Sequence, residues 1–152
     1  MDMRGLTSEW SLPYSINIRT PPAKRSGRSN HTSVVFDNKI WVMGGSGTNE
    51  VWYSADGRDW SRATSSAQWS ARYMHTSVVF DNKMWVLGGA GGLNEVWYST
   101  NGKFWVCEAS LTKFASRSDH TAVVFDNMIW VMGGFGIERP LLNDVWYRTL
   151  IE

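Results

Sequence analysis

The chain has 152 residues, 43% of them hydrophobic, and a formal net charge of +1. That length predicts one compact domain with a packed core, and the balanced charge gives no electrostatic reason to expect nucleic acid or a membrane surface as a partner. The single cysteine, Cys107, excludes an intrachain disulfide and fits a reducing compartment. Because the first residues also lack the apolar run of a signal peptide, we expect a cytoplasmic protein.

The first thirty residues have little regular pattern. A short run at residues 7–12, around Trp10, is followed by Pro13 and the pair Pro21-Pro22. The remainder of this segment, residues 14–30, is locally basic and carries turn-forming residues. We therefore predict one short N-terminal strand and a long connection.

A 15-residue segment starting at His31 organises the rest of the chain. It returns almost unchanged at His75 and at His120, so the starts lie 44 and 45 residues apart. A fixed period in this range indicates a repeat architecture, in which each copy is one supersecondary unit.

Each copy is predicted to form short antiparallel strands, because apolar β-branched and aromatic runs alternate with turn residues and no 3.6-residue period is present. Asp37-Asn38 and Asp56-Gly57 are turn signals between neighbouring strands. The predicted strands a, b, c and d of the first copy are residues 31–36, 40–43, 50–54 and 58–63.

The second and third copies follow the same order, except that the third has no strand d. The corresponding strands are residues 75–80, 84–87, 95–99 and 103–109, and then 120–125, 129–132 and 144–147. Trp60 and Trp105 occupy one position in strand d, and Trp10 is the natural third member. The N-terminal strand is therefore predicted to complete the third unit.

Three features of the copies resemble the kelch repeat. A di-glycine ends strand b, a Val-Trp-Tyr triplet lies in strand c, and an arginine precedes each histidine by three residues. The arginines are Arg28, Arg72 and Arg117. The resemblance implies an all-β, kelch-type β-propeller with one blade per repeat. The predicted single domain spans residues 7–149, with blades at 31–64, 75–109 and 120–148.

Three blades are too few for a closed ring, because closed propellers contain about 4 to 8 blades. An open arc would leave large tryptophan-rich faces in water, which soluble monomers rarely do. We therefore expect a homodimer that completes a six-bladed propeller, with residues 7–12 pairing with strand c of the partner chain. A nine-bladed trimer and a fragment of a longer propeller are the alternatives.

The repeated polar residues have two interpretations. The arginines Arg28, Arg72 and Arg117 would encircle one channel mouth in the dimer, where guanidinium groups suit carboxylates, phosphates or sulfates. The alternative is that each arginine pairs with a carboxylate or carbonyl of its own blade. The histidines at 31, 75 and 120 are expected to make structural hydrogen bonds rather than a metal ring, because opposite blades are too far apart for metal bonds near 2 Å.

Positions that break the repeat are better candidates for binding, since packing does not dictate them and loops on a rigid scaffold commonly carry function. They lie just after each arginine and in the b–c loops, of which residues 135–142 form the longest. Besides the three arginines, the candidate binding residues are Tyr73, Ser118, Asp119, Phe135 and Arg139. Phe135 and Leu141 have a second interpretation, as cover for apolar blade edges.

The function predicted from these features is that of a homodimeric binding module, which holds a small anionic or carbohydrate ligand or a protein through loops at one face of the channel. No catalytic residue, metal or cofactor is expected. The alternative is a sugar-acid enzyme, because the expected six-bladed ring resembles in blade number some bacterial kelch-like proteins that act as sialic acid mutarotases. An enzyme would concentrate polar, non-repeated groups at one mouth of the channel.

Overall fold

The computed structural model describes residues 26–91, 93–108, 113–138 and 140–149, which form thirteen β-strands. The predicted all-β, antiparallel class is confirmed for this part of the chain. No helix among these residues is long and apolar enough to cross a membrane. The predicted strand at residues 7–12 lies outside the described residues, as do Trp10 and Arg139.

Sheet 1 has four strands in sequential order, each antiparallel to the next. Its strands are β1 Thr32–Phe36, β2 Lys39–Met43, β3 Val51–Ser54 and β4 Ser61–Thr64. Asp37 and Asn38 both have positive φ, at 48° and 53°. Two consecutive left-handed residues are typical of the tight turn that matches strand twist, and Asp and Asn tolerate this conformation.

Strand β4 begins later than predicted, at Ser61 rather than at residue 58. The Asp56 carboxylate accepts backbone hydrogen bonds from Arg58, at 2.8 Å, and Asp59, at 2.9 Å. The Ser54 hydroxyl accepts another from the Gly57 amide at 2.8 Å. These bonds hold residues 56–59 in a turn and so delay the strand.

Sheets 2 and 3 repeat this plan, with one strand fewer in sheet 3 among the described residues. Sheet 2 contains β5 Thr76–Phe80, β6 Lys83–Gly89, β7 Leu93–Ser99 and β8 Val106–Cys107. A short ribbon pairs β9 Arg117–Ser118 with β12 Phe135–Gly136. Sheet 3 contains β10 Thr121–Phe125, β11 Met128–Met132 and β13 Val145–Thr149. The first strands β1, β5 and β10 are neighbours in space.

The sheets pack face to face, and the strand register divides the side chains of each sheet between two faces. We define face A as the positions of Val34, Phe36, Trp41, Met43 and Val51 in sheet 1 and their equivalents in sheets 2 and 3. Face B is defined by the positions of Val35, Ile40, Val42 and Trp52 and their equivalents.

Two apolar clusters follow one packing rule, in which face A of one sheet covers face B of the next. The cluster between sheets 1 and 2 includes Phe36, Trp41, Met43 and Val51 from face A, Met84 and Val86 from face B, and also Trp69 and Trp105. The cluster between sheets 2 and 3 includes Val78, Phe80, Trp85, Leu87 and Val96 from face A, Ile129 and Val131 from face B, and also Phe114. Fully burying one such side chain contributes about 1.5–3 kcal/mol.

The two end faces of this stack are more exposed than the covered ones at several equivalent positions, although Val124 on the covered face B of sheet 3 is also 42% exposed. On face A of sheet 3, Phe125 is 69% exposed, whereas its equivalents Phe36 and Phe80 are 9% and 6% exposed. On face B of sheet 1, Val35 is 71% exposed. Each end sheet therefore has one apolar face that the described residues leave open.

We predict that Gly102→Ala destabilises the protein more than Gly47→Ala does. Both glycines have similar positive φ, 72° and 74°, so alanine is strained at both by about 1–2 kcal/mol. A Cβ at Gly102 would also overlap the Trp41 ring between sheets 1 and 2, whereas nothing lies within 4 Å at Gly47. Overpacking adds about 1–3 kcal/mol, and urea unfolding of the two variants measures the difference. Equal losses would mean that this packing contributes little.

Candidate binding site at the mouth of the inner strands

Two of the repeated histidines, His75 and His120, contact the sheet that precedes their own. His75 Nε2 lies 3.2 Å from the Met43 carbonyl oxygen and 3.0 Å from Thr32 Oγ1, both in sheet 1. Its ring fills the space where a Cβ of Gly44 would stand, with Cε1 at 2.9 Å from that position. His120 fills the corresponding space beside Gly88, at 2.8 Å. The first glycine of each of the first two di-glycines therefore admits the histidine of the following sheet.

Burial keeps these two histidines neutral. Burial, together with the nearby positive charges of Arg72 and Arg117, lowers the pKa of both His75 and His120 to about 4. His31, at the equivalent position of sheet 1, is exposed. Among the described residues, no group of three or more His, Cys, Asp or Glu side chains is placed to hold a metal ion.

Each repeated arginine forms an ion pair with the acidic residue at the start of predicted strand c of the same repeat. All three side chains are at most 1% exposed. Each also donates a hydrogen bond to the carbonyl of the first glycine of the di-glycine. The pairs are Arg28–Glu50, Arg72–Glu95 and Arg117–Asp144, each at 2.8 Å. This is the within-blade alternative considered from the sequence; binding of an external anion by these arginines stays a prediction.

The acidic partners are held ionised. The Arg117 fork donates to both Asp144 oxygens at 2.8 Å, and these bonds lower the pKa of Asp144 to about 2. Burial alone would raise the pKa of Glu50 and Glu95, but hydrogen bonds from their arginines and from tryptophan indoles outweigh it and leave both pKa values below the ordinary range. The charge of each buried arginine is thus neutralised within its own repeat.

The residues just before β1, β5 and β10 meet at one end of the inner strands, and we call Ser29-Asn30, Tyr73-Met74 and Ser118-Asp119 the mouth surface. The Met74 amide donates to the Asn30 carbonyl at 3.2 Å, and the Asp119 amide donates to the Met74 carbonyl at 3.0 Å. These backbone bonds bring the non-repeated positions of three blades into one row. Tyr73 is 42% exposed, and Asn30 and Asp119 are exposed as well.

Met74 is conformationally unusual in this row. Asn30, Met74 and Asp119 all have φ between 52° and 57°. Asn and Asp adopt this left-handed conformation readily, whereas methionine has no local hydrogen bond that compensates for it. The sequence places Asn30 and Met74 among the non-repeated positions that follow the arginines, but it gives no sign that a methionine adopts a left-handed conformation.

The remaining candidate residues lie beside the mouth surface. Phe135 pairs with Ser118 in the short ribbon and is 49% exposed. Next to them a cleft of about 510 Å³ is bordered by the long b–c loop of the third repeat and by the connection that leads to Arg117. Its lining includes Ser116, Ile137, Glu138, Leu141 and Asp144. The structure therefore brings Tyr73, Ser118, Asp119 and Phe135 to one side of the molecule.

Comparison with known proteins supports the kelch resemblance. The family model of the Kelch motif matches residues 27–54, which confirms that resemblance for the first repeat. No curated protein matches the chain in sequence. The solved structure of YjhT is similar, with a TM-score of 0.63 and 19% identity over 74% of this chain. The aligned part spans 36% of the YjhT chain, and at this identity the likeness shows the fold alone.

We predict that Arg72→Ala lowers the free energy of unfolding by about 2 kcal/mol, because it removes a fully buried side chain and leaves the buried Gly88 carbonyl without its donor. Arg62→Ala is the matched control: Arg62 is half exposed and pairs with Glu50 at 3.1 Å, so we expect a loss of about 0.5 kcal/mol. Urea unfolding measures both losses. Comparable losses would contradict a structural role for Arg72.

The histidine pKa values predict a loss of stability in acid. The folded pKa of His75 and of His120 is about 4, below the ordinary value of 6.5, so between these values the unfolded chain binds more protons. Stability is complete above pH 6.5 and falls as the pH decreases toward 4, by up to about 3 kcal/mol per histidine. Unfolding free energies at about pH 7.5 and about pH 5 measure this loss. In His75→Gln the pH dependence should be roughly halved; an unchanged slope would contradict the assignment.

Proposed function

We propose that this kelch-repeat chain is a binding module that works as a homodimer and holds a small ligand or a protein through its mouth surface. The observation that carries the proposal is the left-handed Met74 at the centre of that surface, beside the exposed ring of Tyr73. Strained backbone persists where the surrounding structure enforces it, and it clusters at binding and catalytic sites.

The composition of the mouth surface favours binding through mixed contacts. Tyr73 and Met74 offer an aromatic ring and a thioether, while Asn30 and Asp119 offer an amide and a carboxylate. Binding sites commonly combine apolar side chains with a few polar groups that fix orientation. The neutralised arginines add no net charge to this surface, so a ligand need not be anionic.

The homodimer is supported by the two apolar faces that the described residues leave open. A contiguous exposed apolar patch of more than a few hundred Å² commonly marks an interaction site. Face A of sheet 3 and face B of sheet 1 are the two partners that the packing rule joins elsewhere in the chain. One second copy supplies cover for both faces.

The sugar-acid enzyme, the alternative function predicted from the sequence, has less support than the binding module. Such an enzyme needs cationic groups that bind the acid, and the three arginines already pair with Glu50, Glu95 and Asp144. Exchange between the two anomers of N-acetylneuraminic acid, followed by NMR with and without the protein, decides between the two functions. Faster exchange that is lost in Tyr73→Ala and Met74→Asn would replace the binding module with the enzyme.

We predict that Met74→Asn makes the protein more stable but a poorer binder. Asparagine tolerates the left-handed conformation, so we expect a gain of about 1 kcal/mol in the free energy of unfolding. Ligand binding raises the melting temperature by mass action. Suitable probes are N-acetylneuraminic acid, N-acetylglucosamine and the members of a peptide library. A probe that raises the melting temperature of the wild type should no longer raise it in Met74→Asn or in Tyr73→Ala.

Phe104→Ala is the matched control for Tyr73→Ala. Phe104 is an exposed aromatic residue, 61% accessible, in the turn before β8, at the opposite end of the strands from the mouth surface. Its removal should leave probe binding unchanged. The proposal fails if no probe binds the wild type, or if the mouth variants and Phe104→Ala bind a probe equally well.

A further inference from the structure

The packing rule between consecutive sheets identifies how the proposed second copy docks, and this inference rests on the proposed homodimer. Face A of sheet 1 covers face B of sheet 2, and face A of sheet 2 covers face B of sheet 3. The same equivalent positions meet in both clusters, including Trp41 and Val86 in the first and Trp85 and Val131 in the second. The chain thus contains two observed examples of one interface.

The histidine contact gives this interface a second, polar component. The rings of His75 and His120 occupy the spaces beside Gly44 and Gly88, and all four residues are buried. At Gly133, the third equivalent position, the nearest described atom to a Cβ would be the Leu142 carbonyl oxygen at 3.3 Å, and no histidine ring lies there. His31, the first histidine in the series, is exposed.

The open faces at the two ends are the unmatched halves of the same interface. On face A of sheet 3, Val123 is 46%, Val145 57% and Tyr147 64% exposed. On face B of sheet 1, Val35 and Ile40 are exposed. Val34 in sheet 1 is equivalent to Val123, and Val79 in sheet 2 is equivalent to Val35. Both pack against the apolar cluster between sheets 1 and 2.

We infer that face A of sheet 3 in one copy packs on face B of sheet 1 in a second copy, with His31 of the second copy beside Gly133. Because each copy has one of each end face, two copies form two identical junctions and close a ring. The Met132 carbonyl, equivalent to that of Met43, then faces the ring of His31 of the second copy. Ring closure also brings two mouth surfaces around one axis, so that the second copy completes the proposed binding site.

Single charges on the two faces test the inference in the full chain. Val35→Lys and Val123→Glu replace exposed side chains, so each variant should fold, which circular dichroism checks. In each we expect the dimer dissociation constant to rise by about a hundredfold or more, since both junctions of the ring would bury an unpaired charge. Analytical ultracentrifugation measures the shift from twice the chain mass of 17.3 kDa to the chain mass itself.

The double variant Val35→Lys/Val123→Glu places opposite charges across both junctions. We expect it to dimerise at least about tenfold more tightly than either single variant. Val106→Glu is the matched control, because Val106 is 49% exposed on β8 of sheet 2 and belongs to neither end face. It should dimerise as the wild type does.

Gly133→Ala tests the histidine contact separately. An added methyl group would take the place of the ring of His31 of the second copy, so the variant should dimerise less tightly than the wild type. Gly91→Ala is its control, with positive φ and nothing within 4 Å of the added methyl group. Equal dimerisation of these two variants would overturn the histidine contact.

The outcomes separate this inference from the proposed function. A dimeric wild type whose single charged variants and double variant all dimerise with unchanged affinity would overturn this interface while leaving the homodimer in place. A wild type that has the mass of one chain at every concentration would overturn both the interface and the homodimer. Binding of a probe at the mouth surface is measured independently of either result.

Discussion

The rest of the structure depends on the contact between consecutive sheets. Each sheet is apolar on both faces, and such a sheet is stable only when both faces are covered. Sheet 2 has this cover, because sheet 1 packs on its face B and sheet 3 on its face A. The di-glycines and histidines make the contact specific, since the ring of one repeat needs the missing side chain of the previous repeat. Stability in such a chain comes from the individual units and from their nearest-neighbour interfaces.

The arginine–carboxylate pairs show how repeated polar residues serve the repeated structure. Arg72, in the connection before β5, donates a hydrogen bond to the Gly88 carbonyl at the end of β6. It donates a second one to the Glu95 carboxylate at the start of strand c. The same arrangement at Arg28 and Arg117 fixes the b–c loop of every repeat. With these charges neutralised, the chemistry of the mouth surface is determined by the residues that differ, and Tyr73, Met74 and Asp119 differ most in character. The division between repeated and non-repeated residues is therefore also a division between scaffold and candidate site.

The sequence predicted most strands because their determinants are local. The Asp-Asn turns and the apolar runs on both sides of them fix β1 and β2 and their equivalents. The start of β4 was predicted too early, because the Asp56 carboxylate accepts hydrogen bonds from two backbone amides and so extends the turn. Strand propensity alone does not indicate such a turn. Trp69 has no tryptophan counterpart in the other repeats, yet it lies against Arg72 as Phe114 lies against Arg117, with guanidinium-to-ring distances of 5.7 and 5.4 Å. The left-handed conformation of Met74 could not be predicted from the sequence. It is held by the backbone hydrogen bonds to Asn30 and Asp119 on its two sides, and methionine itself does not favour it.

The internal repeat also restricts what can cover the open end of sheet 3. By analogy with the two observed contacts, a suitable surface offers apolar side chains at the spacing of Met84 and Val86 and a histidine ring beside Gly133. Face B of sheet 1 offers the exposed Ile40 at the position of Met84 and His31 at the position of the histidine, while Val42, at the position of Val86, is buried within its own chain. An unrelated apolar partner would satisfy the first requirement but leave the glycine space unfilled, and unfilled space in an interface forfeits dispersion contacts. These two requirements are the reason why the proposed partner is a second copy of this chain rather than an unrelated apolar surface.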